Sequence, residues 1–275
     1  NYDKAMGIYT TALIKAEELD DKNGIRYCYG YIGNTYFHKS DYDKALDYQT
    51  RALKIEEEIG TNSQVFLVNI GNIYFRKGDY DKALECFISD LKKLENLGNI
   101  YMWNLRITLS NIGKVYQDKG DFDKAMHYKK RALKIAEEVG TKSELGYSLS
   151  DIGMVYYHKG NYDKAVELLK ESLPIINETI GADDLIRSVT YLYLAYKHLG
   201  KAYDENKIHS LIKEIKNIEF EVNYRLFQLL EDTSYLETAY NQVKEKAGNL
   251  EPDIAAKFLS YPIPSAIVEE WEKVN

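Results

Sequence analysis

Asp151-Ile152-Gly153-Met154-Val155-Tyr156-Tyr157-His158-Lys159-Gly160-Asn161-Tyr162-Asp163-Lys164-Ala165 reads as the end of one helix, a tight turn and the start of the next. Nearly the same words stand at Asn111-Ile112-Gly113 through Ala125, at Asn69-Ile70-Gly71 through Ala83, and at Tyr31-Ile32-Gly33 through Ala45. The chain is therefore built from an internal repeat, and a unit of this length buries its apolar face only by stacking on its neighbours. In Lys77-Gly78-Asp79-Tyr80, Lys119-Gly120-Asp121-Phe122 and Lys159-Gly160-Asn161-Tyr162 a basic residue ends one helix and glycine supplies the left-handed stop. Asp or Asn then caps the next helix, and Asp43, Asp81, Asp123 and Asp163 sit near its positive end. Helices joined so tightly run antiparallel and pack face to face. Gly33, Gly71, Gly113 and Gly153 lie in the first helices, and Ala45, Ala83, Ala125 and Ala165 in the second. Small residues at both places let the two backbones approach closely.

These residues resemble the tetratricopeptide repeat, whose signature is Leu-Gly-x-x-Tyr in the first helix and alanines in the second. Here the words are Ile32-Gly33-Asn34-Thr35-Tyr36 with Ala45 and Ala52, and Ile112-Gly113-Lys114-Val115-Tyr116 with Ala125 and Ala132. The steps from Tyr42 to Tyr80, Phe122 and Tyr162 run at about forty residues against the family's usual thirty-four. Each helix is thus longer by roughly three residues, about 4–5 Å. The resemblance implies an all-α fold, a right-handed α-solenoid of antiparallel hairpins. Repeats of this long kind are similar to those of peptide-sensing bacterial regulators, kinesin light chains, spindle-orientation adaptors and the sensor arms of multidomain bacterial signalling proteins.

In chain order, residues 1–18 read as an orphan second helix, 19–216 as a solenoid of about five hairpins, and 217–275 as a helical C-terminal cap without the repeat. The hairpins fall at about 23–58, 63–96, 100–138, 142–179 and 183–216, the last worn, with Tyr193 where Gly153 stood. Pro174 lies inside a second helix, where it removes a backbone bond. In the cap, Phe220 to Leu230 and Tyr235 to Lys246 read as helices, and Pro252 opens a short one ending at Leu259. The run Tyr261-Pro262-Ile263-Pro264 reads as a turn, with Ser265 capping a last helix that carries Trp271. A chain opening on Asn1-Tyr2-Asp3-Lys4-Ala5, a second helix without its first, is expected to be part of a longer protein.

Of the 275 residues, 45% are hydrophobic and 29% charged, which suits a solenoid with a continuous core. The net charge of -7 argues against a nucleic-acid footprint, and no apolar run of membrane-spanning length occurs. Cys28 and Cys86 form neither a CxxC nor a disulfide framework, so a reducing, cytoplasmic setting is expected.

Catalytic chemistry is scarce, and no enzyme activity, cofactor or metal is expected. His38, His158 and His198 share one repeat position at a first-helix C-terminus, where a cation suits the negative helix end. Cys28 and His38 are about 15 Å apart by helix rise, too far for a thiol and base pair. Cys86 and His127 take similar places in neighbouring second helices, but lack a third, orienting group. Acidic runs such as Glu56-Glu57-Glu58 and Glu137-Glu138 read as solvated outer faces.

The candidate site is a groove along the first helices. Positions three and four apart around the repeat glycine hold Asn34, Phe37 and His38; Asn69, Asn72, Phe75 and Arg76; Asn111, Lys114, Gln117 and Asp118; Met154, Tyr157 and His158; and Leu194, Lys197 and His198. Asparagine is unfavourable inside helices, so its recurrence points to use, and its amide can pair with a peptide backbone in either sense. The resemblance implies peptide contact through such asparagines. Phe37, Phe75 and Tyr157 would add apolar surface, and Arg76 and Lys114 would hold a carboxylate. The competing reading is that the asparagines bond between helices and set the stacking. Tyr27, Tyr31, Tyr147 and Tyr191, in earlier turns of first helices, are further groove candidates. A groove of roughly 45–50 Å would take an extended strand of some fourteen residues, or a short helix. The expected function is a peptide- or protein-binding scaffold, the sensor or adaptor region of a signalling protein. The alternatives are a self-associating scaffold joined through its terminal helices and an autoinhibitory one regulating an upstream catalytic domain.

Overall fold

The hairpin turns close by the local chemistry their residues carry. Asp41, Asp79 and Asp121 accept from the backbone N–H of Lys44, Lys82 and Lys124 at 3.3, 3.1 and 3.1 Å, and Asn161 accepts from Lys164 at 3.1 Å. A side-chain acceptor at that place satisfies one orphan N–H of the helix start. The left-handed residue before the cap is Gly78, Gly120 or Gly160, and Ser40 fills the same seat in the first hairpin at φ 61°.

A computed structural model describes residues 2–60, 65–97, 101–179, 182–215 and 217–274, and these form fifteen helices and no strand. In order they are α1 Tyr2–Glu18, α2 Lys22–His38, α3 Tyr42–Ile59, α4 Val65–Lys77, α5 Tyr80–Leu97, α6 Met102–Asp118, α7 Phe122–Val139, α8 Lys142–His158, α9 Tyr162–Thr179, α10 Ala182–His198, α11 Glu205–Glu214, α12 Phe220–Leu230, α13 Thr233–Gly248, α14 Pro252–Leu259 and α15 Pro262–Val274. The expected hairpin limits at 63, 100 and 216 lie outside the described residues; the others fall within a residue or two of the helix ends. One local expectation fails. Pro262 begins α15 instead of belonging to a turn before it, because a first-turn proline lacks only an N–H that would be orphaned anyway. Ser265 is therefore no cap; its hydroxyl donates to Glu269 at 2.6 Å.

The described residues group into two compact units, Asn1–Asn96 and Leu97–Asn275. In the first, α1 packs on α2, α2 on α3 and α3 on α4. Ala45, Ala52 and Ala83 are fully buried, with Ile32, Phe66, Ile73, Phe87 and Leu94 around them. Burying aliphatic or aromatic side chains of this size contributes about 1.5–3 kcal/mol each, which is what holds these helices together. In the second unit, α6 pairs with α7 and α8 with α9, α8 packs on α7 and α10 on α9. The repeat wording ends before α12, yet α12 packs on α10 and α13, taking the next first-helix place. α15 packs on α13 through Ile267, which is fully buried, and Trp271, whose ring stacks on Tyr240 at 5.2 Å.

The repeat glycines make the hairpins tight. A Cβ placed on Gly33, Gly71, Gly113 or Gly153 would lie under 3 Å from Gln49, Phe87, Lys129 or Leu169 respectively. These four are one repeat position, the second-helix residue that fills the space the glycine leaves, and all are buried. Two of the four are polar, and the functional geometry begins there. Consecutive hairpins are also tied at their turns by the pairs Lys39–Asp3 at 3.0 Å, Lys77–Asp43 at 2.5 Å and Lys159–Asp123.

Candidate functional site

In the first unit, Gln49 occupies the place behind Gly33, and its amide must find partners because it is fully buried. Its Nε2 donates to the Gly30 carbonyl at 3.0 Å and to Asn34 Oδ1 at 2.7 Å. Asn69 Nδ2 donates to Gln49 Oε1 at 3.3 Å and to Asn34 Oδ1 at 3.2 Å. Asn34 and Asn69 thus join α2, α3 and α4, as the competing reading of the asparagines requires of these two. Asn69→Ala is expected to leave Gln49 Oε1 buried without its donor and to lower stability by about 1–3 kcal/mol in urea denaturation. A change below about 0.3 kcal/mol would show that the amides do not hold these helices.

Around that network α2 and α4 carry several exposed side chains, although one ring, Tyr31, stacks on Tyr9 of α1 at 5.0 Å. Tyr27 and Tyr31 are 49% and 50% exposed, one turn apart, and Val65 is 49% exposed. His38 and Arg76 are exposed, while Asn72, Phe37 and Phe75 are part-buried. Phe37 and Phe75 lean toward their own turns, against Tyr42 at 5.8 Å and Tyr80 at 5.3 Å. His38 lies parallel to Tyr2 at 6.1 Å. Glu56 was expected to be solvated and is buried instead: it accepts from Arg26 Nη1 at 3.2 Å, and the Arg26 guanidinium lies over Tyr27 at 4.4 Å. The Glu56-Glu57-Glu58 run had concealed this, because one residue of three consecutive acids on a helix turns inward.

In the second unit most of the same inner positions are closed, while Tyr147, Lys197 and His198 stay exposed. Lys129 takes the place behind Gly113, 2% exposed, and meets Asp151 Oδ2 at 3.0 Å; the Ser110 hydroxyl donates to the same oxygen at 3.0 Å. Burial raises the Asp151 carboxyl, but Lys129 and Lys114 outweigh it and hold the group below the usual carboxylate range. Lys114 faces Asp118 at 3.6 Å, and burial, with Arg187 and Lys129 nearby, pushes its ammonium pKa down. Lys114 is therefore set among the unit's own charges. Asn111, part-buried, precedes it on α6.

Further along, Arg187 meets Glu219 at 3.0 Å and Glu221 at 3.5 Å. The Tyr191 hydroxyl donates to Glu221 Oε1 at 2.5 Å and accepts from Arg225 Nε at 3.3 Å. With that proton committed, His158 Nε2, 2.9 Å away, is the donor to the same hydroxyl. His158 stacks on Phe122 at 4.9 Å, and burial, with Arg225 close by, drives its pKa down to about 3. The expected cation at this helix end is therefore a neutral imidazole, because desolvation and a neighbouring guanidinium outweigh the helix dipole. Met154 and Tyr157 of α8 and Tyr191 and Leu194 of α10, expected on the groove, are buried in the core that these helices share with α12, and Tyr157 meets Tyr191 at 5.1 Å. Lys197 Nζ donates to the carbonyls of Gln228 and Leu229 at 2.9 and 3.2 Å, closing the end of α12. Between this wall and α15 lies a cavity of about 260 Å³, with Gln117, Asp118, His158 and Arg225 on one side and Pro262, Ile263 and Ala266 on the other.

Gln49, Lys129, Glu221 and Arg225 were missed in sequence. The readable signal for the first two was a polar residue at a repeat position that holds Phe87 and Leu169 in other copies; for Glu221 and Arg225, beyond the repeat, there was none. Cys28 and Cys86 are free thiols, and burial pushes Cys86 up to about 11, so it stays protonated at neutral pH.

A family model described as tetratricopeptide repeat matches residues 63–138, 104–178 and 144–204, and a second with the same description matches 28–59. No curated protein matches. Among solved structures the chain is similar to BtubC of P. vanneervenii, at 18% identity over 77% of this chain and 88% of that one, TM-score 0.63. It is similar to a Rap protein complexed with Competence and Sporulation Factor, at 17% identity over 93% and 81%, TM-score 0.61. A third is a signal transduction ATPase with numerous domains and a tetratricopeptide repeat sensor, from Pyrococcus horikoshii, at 18% identity over 99% of this chain and 41% of that one, TM-score 0.62.

Proposed function

The chain belongs to the tetratricopeptide repeat family, and from that premise we propose that it is a scaffold binding a protein segment along the inner faces of its first helices. In this reading it is the sensor or adaptor part of a signalling protein, and the face of α2 and α4 in the first unit is where the segment docks. The observation that carries this is the exposure of Tyr27, Tyr31 and Val65 on the first helices α2 and α4, the other exposed large apolar side chains described in the unit, Tyr2, Ile8, Ile14 and Leu19, lying on or just after α1. Rigid aromatic rings offer contact area at low cost in conformational entropy. Arg76, exposed on the neighbouring helix, would take an acidic group of the segment, and Asn72 would pair with its backbone. The Rap protein among the similar structures carries a bound factor, which supports a ligand-binding role here.

The test is selection of a displayed random-peptide library on the full chain and on Tyr27→Ser/Tyr31→Ser/Arg76→Glu. Enrichment on the wild type that falls at least tenfold in the variant, with an unchanged melting temperature, is expected. Equal enrichment on both would remove this face as the docking surface. Asn69 is left unaltered because its amide holds α3 and α4 together.

A further inference from the structure

The start of α15 does more than end the chain. Pro262 sits on the α6–α7 turn, where a Cβ on Gly120 would lie 2.7 Å from Pro262 Cγ. The corresponding Gly160 and Gly200 face open space. Lys119 Nζ lies 5.8 Å from the centre of the Tyr261 ring, and Tyr261 is only 7% exposed. An aromatic–proline–aliphatic hook, Tyr261-Pro262-Ile263, is thus seated on the inner wall of the second unit.

The seat is occupied but poorly matched. About 260 Å³ stays open beneath the hook, against roughly 30 Å³ for one water. Gln117 Oε1, on that wall, is buried and accepts no hydrogen bond. The hook's own donors, the Tyr261 hydroxyl and the Ile263 N–H, do not reach it, and a buried acceptor left unmade is costly. A segment with the same hook and an N–H donor beside it would make the missing bond and fill the space.

We propose that the α6–α7 turn and the wall beside it form a docking surface for an aromatic–proline–aliphatic segment of a partner protein, held in the free chain by Tyr261-Pro262-Ile263. The partner segment displaces the hook and frees the start of α15. This rests on the reading of the inner faces as binding surfaces, but it concerns the second unit and is tested separately.

The probe is a fluorescein-labelled synthetic peptide copying residues 259–267, added to the full chain. An internal competitor acts at high effective concentration, so wild type should bind the probe weakly and Tyr261→Ala/Pro262→Ala roughly tenfold or more tightly. A probe with alanine at its own Tyr and Pro should not bind. Hydrogen exchange gives a readout that does not depend on the variant folding: saturating probe should speed exchange at residues 261–266 of the wild type and leave α13 unchanged. A folded variant that binds no better than wild type, or no change in exchange at 261–266, overturns the proposal. Probe binding with a failed library selection at Tyr27 and Tyr31 would sink the first-unit reading alone, and the reverse would sink the hook alone.

Discussion

Lys129→Met is expected to cost the second unit about 3 kcal/mol, since removing one partner of a buried ion pair leaves the other charge uncompensated. Lys129 is buried behind Gly113, and Asp151 Oδ2 is 3.0 Å from its Nζ. Lys114 and Ser110 remain beside Asp151, which keeps the loss at the lower end of the 3–5 kcal/mol range. Methionine fills nearly the same volume, so the loss is electrostatic and not a cavity. Because the native carboxyl of Asp151 is held below its unfolded value, its contribution is present above about pH 4 and fades as pH falls through the native pKa. Without Lys129 that native pKa rises, so acid unfolding should begin at higher pH. Urea denaturation at pH 7, and with Asp151→Asn added, checks both points; partial recovery in the double variant is expected. A single-variant loss under about 0.5 kcal/mol would refute the pairing.

The second large effect is an acid sensitivity set by His158. Its imidazole, at about 3 in the folded chain against about 6.5 unfolded, binds its proton less readily when native. The unfolded state therefore takes up the extra proton below pH 6.5, and stability falls as pH is lowered, by up to about 1.4 kcal/mol per pH unit, until pH nears 3. Between pH 6 and 4.5 this should amount to about 2 kcal/mol, a window in which most carboxylates have yet to titrate. In His158→Gln, which keeps a donor for Tyr191, that slope should flatten. Equal slopes in wild type and variant, from denaturation at each pH, would show that His158 takes up its proton in the folded state.

The turns, hairpins and core alanines were legible because each signal is local. A cap, a left-handed stop and a small residue act within one helical turn or across one tight hairpin, and the repeat wrote them out several times. Which groove positions stay open was less legible, for a physical reason. The pattern places Asn34, Asn69, Tyr157 and His158 on one helix face, but whether a face is open depends on what lies opposite. Gln49 draws in two asparagines, and Tyr191, Glu221 and Arg225 close over His158.

By itself the sequence determined a stack of antiparallel hairpins, where each turns and which positions are small, since these follow from backbone conformation and short-range hydrogen bonding. Only the tertiary structure decided that Lys129 meets Asp151, that α12 takes a place in the array, and that Pro262 lands on Gly120. Those contacts join helices far apart in the chain, and their partners are chosen by packing geometry and by the need of buried polar groups for company, which no local word encodes.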